Sequence, residues 1–134
     1  MIQNRNLSRA AKKRTWNFNI RPLTADLQSH GFQDPENDVR ILRIDLFFAE
    51  ASGASEDEII EVGTIADDDL YLSYTVADNQ TIGTKVAGTL LSTALLPAGT
   101  VLIAKKSAAA ADASSTAVIS GTITYEIIDK KYQA

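Results

Sequence analysis

The sequence predicts an all-β fold: an antiparallel β-sandwich or jelly roll with a flexible N-terminal arm. Several segments alternate apolar and polar residues with a period of two, the pattern of a half-buried strand. These segments recur between turn residues at short spacings. No succession of amphipathic helices is present that could cover the faces of a parallel sheet. At 134 residues and 14.5 kDa the chain has the size of one domain, long enough for a core without staples. The expected division is a basic arm over residues 1–14 and a sandwich over 15–134.

Within the arm, residues 7–14 have helix-friendly composition but are too few to hold a helix alone in water. From Thr15 the pattern turns to alternation, with Trp16, Phe18 and Ile20 on one face and Asn17 and Asn19 on the other, until Pro22 interrupts. Thr24 to Gly31 reads as a helical turn with Thr24 as N-cap and Gly31 as stop, followed by a turn at Asp34-Pro35-Glu36-Asn37. Asp38 to Glu50 is the most apolar strand. Val39 and Ile41 occupy one parity and Leu42, Ile44, Leu46 and Phe48 the other, which predicts a bulge or burial on both faces, and a central place in a sheet.

Two readings compete at 55–63. Ser55 and Glu58 form a capping box with Gly63 as a stop, yet Ile59, Ile60 and Val62 are β-branched. Because β-branched side chains lose rotamer freedom in helices, a helical turn running into a strand is favoured over a short helix. Asp69 to Asp78 alternates as a strand, Asp78-Asn79-Gln80 is a turn, and Thr81 to Ser92 is a strand weakened by Gly83 and Gly88. Leu95-Leu96-Pro97-Ala98-Gly99 reads as a Pro-x-Gly turn and Thr100 to Lys106 as a short apolar strand. Ser107 to Ser115, almost wholly Ala and Ser, is an exposed loop. Thr116 to Asp129 is the clearest strand, with Ala117, Ile119, Ile123, Tyr125 and Ile127 on one face. The total is six to eight strands, and the last must lie beside a strand distant in sequence, as Greek-key connections require.

Charge is divided unevenly. Arg5, Arg9, Lys12, Lys13 and Arg14 place five of the thirteen cations in the first fourteen residues, with no acid among them. Thirteen of the seventeen acids lie between Asp34 and Asp78, against only Arg40 and Arg43. A basic arm on an acidic body suits docking on a neighbouring copy, on another acidic protein or on nucleic acid. Nucleic acid comes last, because with a pI of about 4.9 the body lacks a basic face of its own. No apolar run approaches the ~20 residues that span a bilayer, and no signal peptide follows Met1, so the expected site of synthesis is the cytoplasm without a membrane partner.

The chemistry-bearing residues are few. With no cysteine and one histidine, His30, neither thiolate chemistry nor a multi-histidine metal site is available, and no cofactor is expected. His30 stands beside Ser29 and near Asp26, but sequence neighbours do not make a triad, and a turn or cap residue is the plainer reading. Asp67-Asp68-Asp69 offers oxygen ligands to calcium, yet lacks the alternating spacing and turn glycine of an EF-hand, so a solvated inter-strand loop is expected. Tyr71 and Phe47 are the aromatics that a sugar-binding module would expose, with core or cross-strand packing as the plainer role. No enzyme signature is present.

Leu95-Leu96-Pro97-Ala98-Gly99-Thr100-Val101-Leu102, a small-residue loop, and a closing strand Ser120-Gly121-Thr122-Ile123-Thr124-Tyr125-Glu126-Ile127 resemble the C-terminal third of small tailed-phage virion proteins. The resemblance covers about a quarter of the chain and implies a capsid decoration, or cement, protein. It carries no catalytic or binding motif. On that reading the partner is the major capsid protein, the location is the virion after assembly in the host cytoplasm, and the protein is a cyclic homo-oligomer, a trimer rather than a dimer. Arg5, Arg9, Lys12, Lys13 and Arg14 would meet acidic capsid or neighbour surface, with Trp16 anchoring the root of the arm. The alternative from another class is a carbohydrate-binding or calcium-dependent adhesion sandwich.

Overall fold

The computed structural model describes residues 13–20, 29–53, 58–107 and 117–128, and among them the regular structure is all strand. The strands are β1 (Lys13–Ile20), β2 (Ser29–Phe32), β3 (Asp38–Glu50), β4 (Ile59–Gly63), β5 (Leu72–Thr75), β6 (Lys85–Gly88), β7 (Leu95–Leu96), β8 (Leu102–Ser107) and β9 (Val118–Ile128). They form two antiparallel sheets. The larger has the order β1-β9-β3-β6, with β7 also pairing β3, and the smaller has the order β2-β8-β4-β5.

The pairing is nested. β4 pairs β5, β3 pairs β6, β2 pairs β8 and β1 pairs β9, so the chain runs as a long antiparallel ribbon whose successive strand pairs alternate between the two sheets. The apolar faces that the alternation predicts are thereby turned toward each other. Phe18 and Ile20 of β1, Ile41, Ile44, Leu46 and Phe48 of β3, and Ile119 and Ile123 of β9 meet Ile60 and Val62 of β4, Leu72 of β5 and Leu102 and Ala104 of β8 in one buried core.

β3 spans Asp38–Glu50 and is central, between β9 and β6. Its register against β9 shifts between Ile41 and Arg43 and again between Phe48 and Glu50. The first shift is the bulge that the parity change requires: one extra residue, Leu42, lets Ile41 and Ile44 both face the core while Arg40 and Arg43 both face out. β9 is bounded on both sides by strands far away in sequence, as expected of the closing strand.

Several expectations change. β1 begins at Lys13, so Lys13 and Arg14 are strand residues rather than the end of an arm, while residues 1–12 lie outside the described residues. Gly31 does not stop a helical turn: Ser29, His30 and Gly31 are in β2 beside β8, and 21–28 lie outside the described residues. At 55–63 the strand reading holds for Ile59–Gly63, with 54–57 outside the described residues. The strand expected from Thr81 to Ser92 shrinks to Lys85–Gly88, because Gly83 adopts a φ of 89° in the turn before it. Leu95 and Leu96 leave the expected turn to pair with Arg40 and Val39. The turn itself is closed by the Thr100 amide donating to the Pro97 carbonyl at 3.0 Å, with Gly99 at a φ of 80°. Of the loop expected from Ser107 to Ser115, Ser107 closes β8 instead, and 108–115 lie outside the described residues.

Candidate functional site

Of the residues expected to bind a partner, Arg5, Arg9 and Lys12 lie outside the described residues. Lys13 and Arg14 open β1, exposed, opposite Glu126 and Tyr125 of β9, and an Arg14 guanidinium N–H donates to the Lys13 carbonyl at 3.1 Å. Trp16 is half-buried, its ring centroid 5.7 Å from Phe18 on its own strand and 5.8 Å from Phe32 on β2. Phe32 in turn lies 4.8 Å from Tyr125. These tilted rings join the two sheets at the β1 edge, so Trp16 is rooted in its own core. Burial pushes the Tyr125 phenol up, Arg14 pulls it down, and Asp34 opposes Arg14.

His30 lies half-buried in β2, paired with Ala104, and lines a shallow concavity with Asn17, Asn19 and Ser120. Ser120 donates to Asn19 Oδ1, and Thr122 donates to Asn17 Oδ1 at 2.9 Å. The side chains beside His30 are thus amides and hydroxyls already engaged with one another across β1 and β9.

Asp67, Asp68 and Asp69 are all exposed, with carboxylate oxygens within 4.8 Å of one another, in the loop joining β4 to β5. The loop is held from below. The Thr64 amide donates to the Asp67 carbonyl at 2.8 Å, the Asp67 amide to Thr64 Oγ1 at 3.1 Å, and a β-carbon on Gly63 would collide with the Asp67 and Asp68 backbone. Asp68 accepts from Lys105 Nζ at 2.6 Å. That hydrogen bond holds the Asp68 carboxyl below the usual aspartate range, whereas a hydrogen bond shared with Asp69 pushes Asp67 up. Glu61, beside Asp68 and opposite Lys105 in the β4–β8 register, is raised by burial first and then by Asp68. Ile65, two residues before Asp67 in the same loop, is 82% exposed.

Two features escaped the sequence reading. The first is an ion pair at the end of the core: Lys106 Nζ lies 3.5 Å from Glu58 Oε1, both side chains about nine-tenths buried, against Ile20, Ile60, Val76 and Ile119. The other Glu58 oxygen, Oε2, is buried without a hydrogen-bond partner among the described residues. The capping-box pattern places Glu58 in a helical turn ahead of the strand, which hides this role.

The second is a trough of about 660 Å³ on the outer face of the larger sheet, lined by Arg43, Asp45, Phe47, Lys85, Ala87 and Thr122. Arg43 donates to Asp45 at 2.8 Å, an arrangement that raises the guanidinium's proton affinity. Phe47 is 38% exposed beside Lys85, its partner in the β3–β6 register. The sequence favours core or cross-strand packing for Phe47; the bulge at Leu42 instead turns it outward with Arg43 and Asp45, and the concavity around it comes from strands distant in sequence. Tyr71, the other aromatic singled out as a surface candidate, is fully buried, its hydroxyl donating to the Ala94 carbonyl at 2.9 Å.

No protein-family model matches the chain, and no curated protein matches it. Among solved structures, the chain is similar to one described as the cyanophage Pam1 capsid asymmetric unit. The TM-score is 0.52 at 18% sequence identity, covering 87% of this chain and 82% of that one. At this identity the likeness is one of fold: the two-sheet architecture described above is shared, over most of both chains, with a component of a phage capsid.

Proposed function

We propose that the protein is a virion structural protein that binds and stabilises a phage capsid as an oligomeric decoration, or cement, protein, a role without catalysis or cofactor. The observation that carries this reading is the likeness in fold to a chain of the Pam1 capsid asymmetric unit, which extends over 87% of this chain. It agrees with the resemblance carried by the Pro97-Ala98-Gly99 turn and the closing strand. The domain is read as a jelly roll, supported by the nested pairs β1·β9, β2·β8, β3·β6 and β4·β5 and their alternation between two four-membered strand orders.

The mechanism is adhesion by repeated weak contacts. A cyclic oligomer, a trimer on this reading, presents the same patch to several shell subunits, so the second and third contacts form at high effective concentration, and avidity exceeds single-site affinity by ~10²–10⁴. The basic segment at the start of the chain, with Arg5, Arg9, Lys12, Lys13 and Arg14, meets an acidic surface of the major capsid protein or of a neighbour, and Trp16 ties its root to the core. Localisation follows as the virion, after assembly in the host cytoplasm.

The test is co-sedimentation of the purified protein with capsids of the phage that encodes it, stripped of this chain. Saturable binding at a fixed ratio to the capsid protein, weakened by salt, is the expected result. Failure to bind intact shells at any ionic strength overturns the reading.

A further inference from the structure

The trough around Phe47 and the tip of the β4–β5 loop are opposite in charge, and each carries an exposed apolar side chain. On the outer face of the larger sheet, Arg43 and Lys85 flank the trough against one carboxylate, Asp45, which is engaged by Arg43. Among the described residues no carboxylate pairs with Lys85. The floor is apolar, from Phe47 and Ala87, in a concavity of about 660 Å³ that accommodates a side chain. An exposed aromatic at the centre of a polar-rimmed concavity is the composition of an interface anchor.

The loop tip has the opposite character. Ile65 projects with 82% of its surface exposed, followed by Asp67, Asp68 and Asp69, of which Lys105 engages only Asp68. The loop is preorganised by the Thr64–Asp67 hydrogen bonds and by the backbone packed on Gly63, so little ordering entropy is lost when it docks. Trough and tip belong to different sheets of the sandwich, the trough to the outer side of β3 and β6 and the tip to the hairpin of β4 and β5. One chain cannot bring its own tip into its own trough.

We propose that the Phe47 trough receives the Ile65–Asp69 loop tip of a second copy of this chain, Ile65 against Phe47 and Ala87, and Asp67 and Asp69 toward Lys85 and Arg43. The contact is heterologous, one patch on a different patch, and repetition about an axis closes a ring. For copies that each carry a net charge of −4, pairing the acidic tip with a cationic rim also removes the repulsion that approach by like-charged surfaces would meet. This rests on the oligomer required by the proposed function, and names its interface.

The experiment is light scattering on the purified full chain, without capsids, on wild type, Phe47→Ser, Lys85→Glu and the double variant Lys85→Glu/Asp69→Lys, each with its melting curve. Wild type is expected at three times the chain mass. Phe47→Ser and Lys85→Glu are expected to weaken association at least tenfold while remaining folded, and the double variant to recover it by exchanging the charges. Both single residues are partly or wholly exposed, and if Phe47→Ser fails to fold, Lys85→Glu decides. A monomeric wild type overturns the oligomer and with it the interface. An oligomeric wild type whose mass is unchanged in Lys85→Glu, or in a folded Phe47→Ser, overturns the interface alone. Variants that keep their mass but no longer bind stripped capsids assign the trough to the shell instead, and also overturn it.

Discussion

The ring of Phe18 packs on Gly121, its direct partner in the β1–β9 register, so closely that a β-carbon on Gly121 would come within 2.0–2.5 Å of three ring carbons. Phe18 is 3% exposed, and Gly121 is buried beneath it. A glycine in the middle of a strand gives up packing and backbone entropy, and here the aromatic from the neighbouring strand fills the missing volume. The pair pins the register of the edge strand β1, because a slip by one residue would put Asn17 or Asn19 over the gap and turn Phe18 to solvent.

Gly121→Ala should therefore displace Phe18 and destabilise the domain by about 1–3 kcal/mol, the range for overpacking a filled core. In a Phe18→Leu background the same substitution should cost less, since the smaller side chain leaves room. Chemical denaturation of the four proteins measures the coupling; strictly additive effects would show that the two residues do not share the space.

The Glu58–Lys106 pair should behave as a buried pair in an apolar setting. Glu58→Ala removes the carboxylate from a nearly buried ammonium and should destabilise by about 3 kcal/mol. Replacing both groups by apolar residues, Glu58→Leu with Lys106→Met, should return stability close to wild type, because neither charge is then left in the core. Urea midpoints decide, and a double variant no better than the single one would contradict this account.

Glu61 and Asp68 should respond to pH with opposite signs. The Glu61 carboxyl is raised in the folded protein, first by burial, so its charged form costs stability at neutral pH, and that cost disappears as pH falls through the carboxylate range. Asp68 is held low, first by the Lys105 hydrogen bond, so it contributes stability at neutral pH that is lost as pH falls through its folded value. Glu61→Gln should raise Tm by about 1–3 °C at pH 7 and leave it unchanged near pH 3, while Asp68→Asn should lower Tm at pH 7 with a deficit that shrinks on acidification. Thermal scans at the two pH values check both signs.

Deleting residues 1–12 keeps the β1–β9 pairings from Lys13 onward, and the melting temperature of that variant is the reference for a longer deletion. Deletion of 1–14 removes the Lys13 and Arg14 pairings with Glu126 and Tyr125 and should lower it below that reference. On the proposed function, the shorter deletion weakens capsid attachment in low salt and has little effect in high salt, where the cationic contribution is already screened. Equal binding by the deleted and full chains at low salt would remove the arm from the mechanism.

Period-two alternation by itself determined the strands of the core: β1, β3, β5 and β9 are legible because each has one buried face and its side chains must alternate to fill it. The bulge at Leu42 was legible as a change of parity, for the same reason, whereas the outward turn of Phe47 that follows from it was not drawn from the pattern. The chain termini's charge and the acidic middle were likewise plain from composition. What local pattern could not contain is which strands become neighbours. Tyr71 packs in the core as its plainer reading expects, but the partner of its hydroxyl, the Ala94 carbonyl, comes from another connection. Glu58 meets Lys106, Phe18 covers Gly121, and Phe47 borders a trough shared with β6 and β9, all across separations that only sheet pairing closes. Alternation is a property of one strand against solvent, whereas a pocket, a buried ion pair or a docking face is a property of several strands at once, and the nested pairing of the two sheets decided those.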